Sequence, residues 1–135
     1  MKIQKQILER LFAHAKKEAP IEACGYLAGK NGIVSISYEL TNLDRSAEHF
    51  SFDPREQFAT LRNARDKGLE IYATYHSHPA SPARPSAEDI RLAYDPNILY
   101  VILSLADQKK DARAFKIRNQ KAEPVPIEVI EHEGI

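Results

Sequence analysis

Apolar residues recur at helical spacing through the first eighteen positions. Ile3, Ile7, Leu8, Leu11, Phe12 and Ala15 fall on one face and Pro20 ends the run, so residues 3–18 read as an amphipathic helix. Cys24 to Ala28 is a short apolar run, as in a buried strand. Lys30-Asn31-Gly32 has hairpin-turn chemistry, and Ile33 to Leu40 alternates as the returning strand. Asn42 to Ala47 is a loop, and Phe50 with Phe52 suggests a short strand. Asp53, Pro54 and Glu56 form a helix start with a capping-box arrangement. Phe58, Leu61 and Ala64 give that helix its apolar face, and Gly68 ends it. Leu69 to His76 reads as a strand, and Ser86 to Tyr94 as a third, short helix. Ile98 to Leu105 is a continuous apolar strand. Ala112 to Arg118 alternates after a tight turn through Asp107 to Asp111, and Val125 to Ile130 reads as a final edge strand. Helices interleaved with strands and hairpins predict an α/β fold with a mixed sheet covered by helices.

Composition narrows the function classes. A chain of 135 residues is expected to form one domain, residues 1–135, with a proper core. Lys plus Arg number 19 and Asp plus Glu number 19, so no basic excess asks for nucleic acid. The longest apolar run, Ile98 to Leu103, is far short of the roughly 20 residues of a membrane span. A single cysteine, Cys24, allows neither an intramolecular disulfide nor a cysteine-only metal site. It fits a reducing compartment, and the N-terminus lacks the apolar core of a signal peptide, so a cytoplasmic location is expected.

The candidate chemistry lies around a proline-rich loop, Pro79 to Pro85. His76 and His78 stand at i and i+2 on a predicted strand and so share a face, about 6.6 Å apart at Cα. Asp89 lies eleven residues on, in the first turn of the third helix, and the loop can return the chain towards the histidines. Two imidazoles and a carboxylate leave a coordination position open, as in a catalytic rather than a structural zinc site. Each piece also has a plain structural reading. A His-x-His pair is commonly two unrelated histidines, and Ser86-x-x-Asp89 is a capping box in its own right. His14, His49 and His132 have no partner spacing and read as ordinary surface or core histidines.

His76-Ser77-His78-Pro79, ten residues from Pro79 to Glu88, then Asp89 with Ser86 three before it, resembles the JAMM (MPN-plus) metallopeptidase motif. Pro20-Ile-Glu22-Ala-Cys24-Gly25-Tyr26-Leu27 is similar to the family's upstream glutamate segment. Phe50-x-x-Asp53-Pro54 is similar to its compact prokaryotic members. The resemblance covers about residues 20 to 105. It implies a three-layer α/β/α, cytidine-deaminase-like fold, a zinc ion on His76, His78 and Asp89, and cleavage next to the C-terminus of a ubiquitin-like protein. It further implies that Glu22 acts as general base towards a zinc-bound water and then protonates the leaving amine, help typically worth about 10²–10⁴-fold. Ser86 would donate a hydrogen bond to the oxyanion.

At this length there is little room for insertions that hold a folded ubiquitin. The expected substrate is therefore a small ubiquitin-like or sulfur-carrier protein ending in Gly-Gly. Its glycine would be joined to a cysteine, a lysine side chain or a C-terminal extension. An extended tail is expected to lie in a narrow groove and to pair with a strand edge. Two other readings compete: a non-catalytic MPN-type scaffold, and a non-haem iron oxygenase using the same two histidines and carboxylate. Cys24 reads as a small buried packing residue or as a redox-sensitive thiol beside the metal. The sequence leaves the oligomeric state open, a homodimer included.

Overall fold

The first apolar run divides between two elements. A computed structural model describes residues 1–131. In it Lys2–Gln4 form a short strand, β1, and Lys5–Glu18 the helix α1. Ile3 therefore enters the core from a strand that pairs parallel to a later one, not from the helix face predicted for it. The other elements follow the predicted order: β2 (Cys24–Lys30), β3 (Ile33–Leu40), α2 (Pro54–Asp66), β4 (Glu70–His78), α3 (Ala87–Arg91), β5 (Leu99–Ser104), a single 3-10 turn (Ala106–Gln108), β6 (Asp111–Arg118), β7 (Lys121–Val125) and β8 (Glu128–Ile130).

The strands form one mixed sheet in the order β7-β6-β5-β4-β2-β3-β1-β8. The β2–β3 hairpin turns through Asn31 and Gly32, both at positive φ, as a two-residue primed turn demands. A bulge at Ser35 then breaks the expected alternation, because Ala28 pairs with Ile36 but Gly29 with Val34. The extra residue turns Val34 into the core cluster beneath α1.

The predicted last strand is two strands. Val125 ends β7, antiparallel to β6, and only Pro126 and Ile127 separate it from β8, which runs parallel to β1 at the opposite end of the sheet. Three Cα–Cα steps span at most about 11 Å, so the sheet must curl until its two edges nearly meet. Proline supplies no N–H to continue a ladder, and the Pro126 carbonyl accepts from the Met1 ammonium instead.

Helices cover both faces. Ile7, Leu11, Leu27, Val34, Tyr75, Val101 and Leu103 pack together beneath α1. On the other face Cys24, Tyr26 and Leu40 form a second cluster, and Ile102, Phe115 and Ile117 a third against Ile90 and Ala93. This is the expected three-layer α/β/α arrangement. Gly25 permits it locally, because a Cβ there would lie 2.0 Å from the Tyr38 carbonyl oxygen and 2.5 Å from the Tyr75 ring.

Two helix ends differ from expectation. The Asp53 side chain accepts from the Arg55 N–H at 2.9 Å, as a cap should. Glu56, however, turns to the Thr41 N–H and hydroxyl at 2.7 and 2.8 Å, tying α2 to the end of β3. The third helix stops at Arg91, three residues early. Pro96 restricts Asp95 to extended geometry, and the Asp95 N–H and carbonyl both bond the Tyr100 hydroxyl. Among the described residues no helix is long and apolar enough to cross a membrane.

Candidate metal centre

The end of β4 brings both histidines to the α2–α3 face. Cys24 pairs with His76 and Tyr26 with Thr74, so alternation along β4 sets His76 and His78 on one side and Tyr75 and Ser77 on the other. Continuing past the strand, the chain turns through the proline-rich loop and enters α3 at Ser86. There the predicted capping box forms. The Asp89 N–H donates to Ser86 Oγ and the Ser86 N–H to Asp89 Oδ2, each at 3.0 Å. The box fixes the Asp89 carboxylate with the same oxygen facing the histidines.

His76 Nε2 and His78 Nε2 lie 3.2 Å apart, and each is 3.1 Å from Asp89 Oδ2. Ligands at about 2.0–2.1 Å from a tetrahedral zinc are separated by about 3.4 Å, so this triangle is nearly one face of such a tetrahedron. His78 Nδ1 is 2.9 Å from the Pro82 carbonyl, which can only accept. That nitrogen therefore carries the proton and leaves the Nε2 lone pair for a metal. The Phe50 ring stacks on His76 with centroids 4.8 Å apart. Burial lowers the His78 pKa, but the Asp89 carboxylate and the Pro82 carbonyl more than offset it, and the net direction is upward. Burial would raise Asp89, yet His76 and His78 hold its carboxyl well below the usual carboxylate range.

Glu22, in the segment before β2, lies near enough to His78 and Asp89 to interact with their charges. It is 2% exposed, and its Oε1 is a buried side-chain oxygen with no hydrogen-bond partner among the described residues. Burial pushes its pKa up to about 8. The carboxylates of Asp89, Glu88 and Glu48 add to the rise, and His78 opposes it. A buried acceptor left unpaired beside three converging ligand atoms fits a bound cation and its water. Of the predicted site residues, β4 and α3 bring His76, His78 and Asp89 together, Ser86 is hydrogen-bonded to Asp89, and the carboxyl of Glu22 interacts electrostatically with His78 and Asp89.

Several contributors escaped the sequence reading. Ser77, on the far side of β4, accepts the Ala23 N–H on its hydroxyl at 2.8 Å. Asn42 holds the Glu22 carbonyl at 3.1 Å. Phe50 was expected in a short strand, but that segment makes one isolated bridge, Asn42 to Phe52. The alternation that pairs the histidines could have shown that Ser77 points away from them; nothing local marks Asn42. Cys24 is fully buried against Tyr26 and Leu40, and its thiol is pushed up to about 12 by burial, with Glu56 and other carboxylates adding to it. It is a packing residue. His14 is a core histidine with Nδ1 2.8 Å from the Tyr75 hydroxyl, and His49 lies near the surface beside Asp44. His132 lies outside the described residues.

A groove of about 560 Å³ runs from His76 and Asp89 between α2 and α3. Its walls are mainly apolar, including Tyr26, Phe52, Leu61, Ile71, Leu92 and Ile102. Its charged lining residues are Glu88, Asp89 and Asp95. The strands flooring it, β2, β4 and β5, are each paired on both sides. None of these three strands offers an open edge for the expected pairing; the segment carrying Phe50, Ser51 and Phe52, which makes one isolated bridge, also lines the groove.

Residues 4–118 match the family described as prokaryotic homologs of the JAB domain. The chain is 33% identical over 132 residues to the CysO-cysteine peptidase of Mycobacterium tuberculosis, covering 96% of this chain and 90% of that protein. It is 35% identical over 92 residues to a "Probable TtuB-protein conjugate cleaving protease" of Thermus thermophilus, covering 67% and 62%. The solution structure of protein DSY2949 from Desulfitobacterium hafniense superposes with a TM-score of 0.89 at 43% identity, covering 98% of this chain and 94% of that one.

Proposed function

The chain belongs to the prokaryotic JAB-domain branch of the JAMM/MPN family, and from that premise we propose that it is a zinc-dependent peptidase. Its substrate is a small ubiquitin-like or sulfur-carrier protein, cleaved after a C-terminal Gly-Gly. The observation that carries this reading is the convergence of His76 Nε2, His78 Nε2 and Asp89 Oδ2 beside the unpaired Glu22 Oε1. Similarity to a CysO-cysteine peptidase and to a TtuB-conjugate cleaving protease supports the substrate class.

His76, His78 and Asp89 would hold the ion, two neutral imidazoles and one carboxylate. When bound, zinc acidifies a water and polarises a carbonyl oxygen, which makes peptide hydrolysis accessible near neutral pH. Glu22 takes the proton of the attacking water and passes it to the departing amine. Burial raises its pKa in the metal-free protein, and a bound cation would favour the carboxylate form that accepts the proton. The Ser86 oxygen is occupied by the Asp89 N–H, which leaves its hydroxyl hydrogen free to donate to the developing oxyanion. The groove between α2 and α3 takes the extended tail by side-chain contact and excludes water from the bond being cut.

Mass spectrometry of carrier conjugates incubated with the protein tests this reading. Release of the carrier ending in Gly-Gly, lost on chelation and restored by zinc, is the expected result. Glu22→Gln should retain zinc and lose about 10²–10⁴-fold in rate. A zinc-loaded wild-type chain that leaves cysteine, lysine and C-terminal-extension conjugates intact would refute it.

A further inference from the structure

We propose that Asn42 is the positioning residue for Glu22, fixing the main chain from which the carboxylate enters the site; this rests on the general-base reading above. Asn42 is 6% exposed and sits just beyond the end of β3. Its Nδ2 donates to the carbonyls of Glu22 and His49, each at 3.1 Å, with a longer contact to Ser46 at 3.5 Å. Its Oδ1 accepts from the N–H groups of Asp44 at 3.0 Å and Ser51 at 3.4 Å. Carbonyls surround one end of the amide and N–H groups the other, so one orientation satisfies all of them. Aspartate cannot replace it, because it has no donor for the carbonyls.

The consequence for Glu22 is direct. Its N–H donates to the Ser46 carbonyl at 2.9 Å while its own carbonyl is held by Asn42. Both main-chain groups of Glu22 are thus clamped by the loop that Asn42 organises. Among the described residues the buried Glu22 Oε1 has no hydrogen-bond partner. Its aim is therefore set by the backbone behind it. The same loop carries Phe50 against His76 and Phe52 against Tyr26, the latter with ring centroids 5.0 Å apart. One amide side chain thereby fixes the base and the aromatic lining in common register.

The test compares the zinc-loaded wild type with Asn42→Asp, Asn42→Ala and Glu22→Gln. Asn42→Asp keeps the size and the acceptor but loses the donor. The expected result is full zinc occupancy, kcat lowered about 10²-fold and KM little changed, since a shift of about 1 Å in a reacting group costs about that much. Amide hydrogen exchange should speed up at Glu22 but not at Ala23, whose N–H is held by Ser77 independently of Asn42. A merely structural role would lower the melting temperature without that local contrast or the loss in kcat. Unchanged kcat in a folded Asn42→Asp, with Glu22→Gln inactive, overturns the inference and leaves the proposed function standing. An active Glu22→Gln overturns the general-base reading and this inference with it. If neither Asn42 variant folds, NMR of the wild type decides. Scalar couplings from Asn42 Nδ2 to the Glu22 and His49 carbonyls support the clamp, and a side-chain amide exchanging freely with water refutes it.

Discussion

Ser77 and Ala23 bond each other twice, and one of the two bonds uses a side chain. The Ser77 N–H donates to the Ala23 carbonyl at 3.0 Å, and the Ala23 N–H donates to Ser77 Oγ at 2.8 Å. The residue between the two histidines thus ties the ligand strand to the residue next to Glu22. Ser77 is fully buried, so no water can replace it without rearrangement.

Ser77→Ala leaves the Ala23 N–H without its acceptor. A buried donor left unsatisfied costs about 1–3 kcal/mol. Urea unfolding should show that loss. Zinc stoichiometry should be unchanged, because neither histidine changes face.

Glu22 makes the metal-free protein sensitive to pH. Burial pushes its carboxyl up to about 8 in the fold, from an ordinary value of 4.5. At pH values below 4.5 both the folded and unfolded states hold the proton, and burial costs nothing extra. Between 4.5 and 8 the unfolded chain releases the proton and the folded one keeps it, so stability falls as pH rises; the loss is complete above 8. Glu22→Gln lacks this loss. In chelator, its melting temperature should match the wild type near pH 4.5 and exceed it increasingly up to pH 8. A constant difference across that range would refute the linkage.

The ligand triangle predicts an all-or-none metal response. His78→Ala or Asp89→Asn removes one of three donors that lie 3.1–3.2 Å apart. Elemental analysis after dialysis should fall from one zinc per chain towards none. Asp89→Asn should keep a folded α3, because the Ser86 cap on the Asp89 N–H survives.

Groove contacts should act on binding rather than chemistry. Leu61 and Leu92 line the groove and are 41% and 43% exposed, so each has area left for a substrate to cover. Burying a leucine side chain is worth about 1.5–3 kcal/mol when complete. Leu61→Ser or Leu92→Ser should therefore raise KM about tenfold with kcat near wild type, in steady-state cleavage of a carrier conjugate.

Cys24 should be inert in the folded protein. A thiol with no exposure and a pKa near 12 forms almost no thiolate at neutral pH. A thiol-specific chromogenic disulfide should react only as the chain unfolds, and peroxide should leave activity intact. Rapid modification of the native protein would contradict this.

How much was legible in the sequence follows from what is local. The His76–His78 pair, the Ser86–Asp89 cap, the Asn31–Gly32 turn and the helix starting at Pro54 each depend on residues a few positions apart, where strand alternation, helix caps and turn conformations act. Their spacing, with the family resemblance, pointed to His76, His78 and Asp89 as candidate ligands and to Glu22 as the candidate base. The chain by itself could not show that the last strand splits around Pro126, that a bulge turns Val34 inward, or that β1 takes Ile3 from the helix. Those outcomes depend on which strands become neighbours, and neighbours are chosen by burial across the whole sheet. Nor could it show Asn42 and Ser77 bracing Glu22, because each reaches its partner across 20 or more residues of chain. Local stereochemistry fixed which side chains could serve; the long-range hydrogen bonding of buried polar groups decided where they stand.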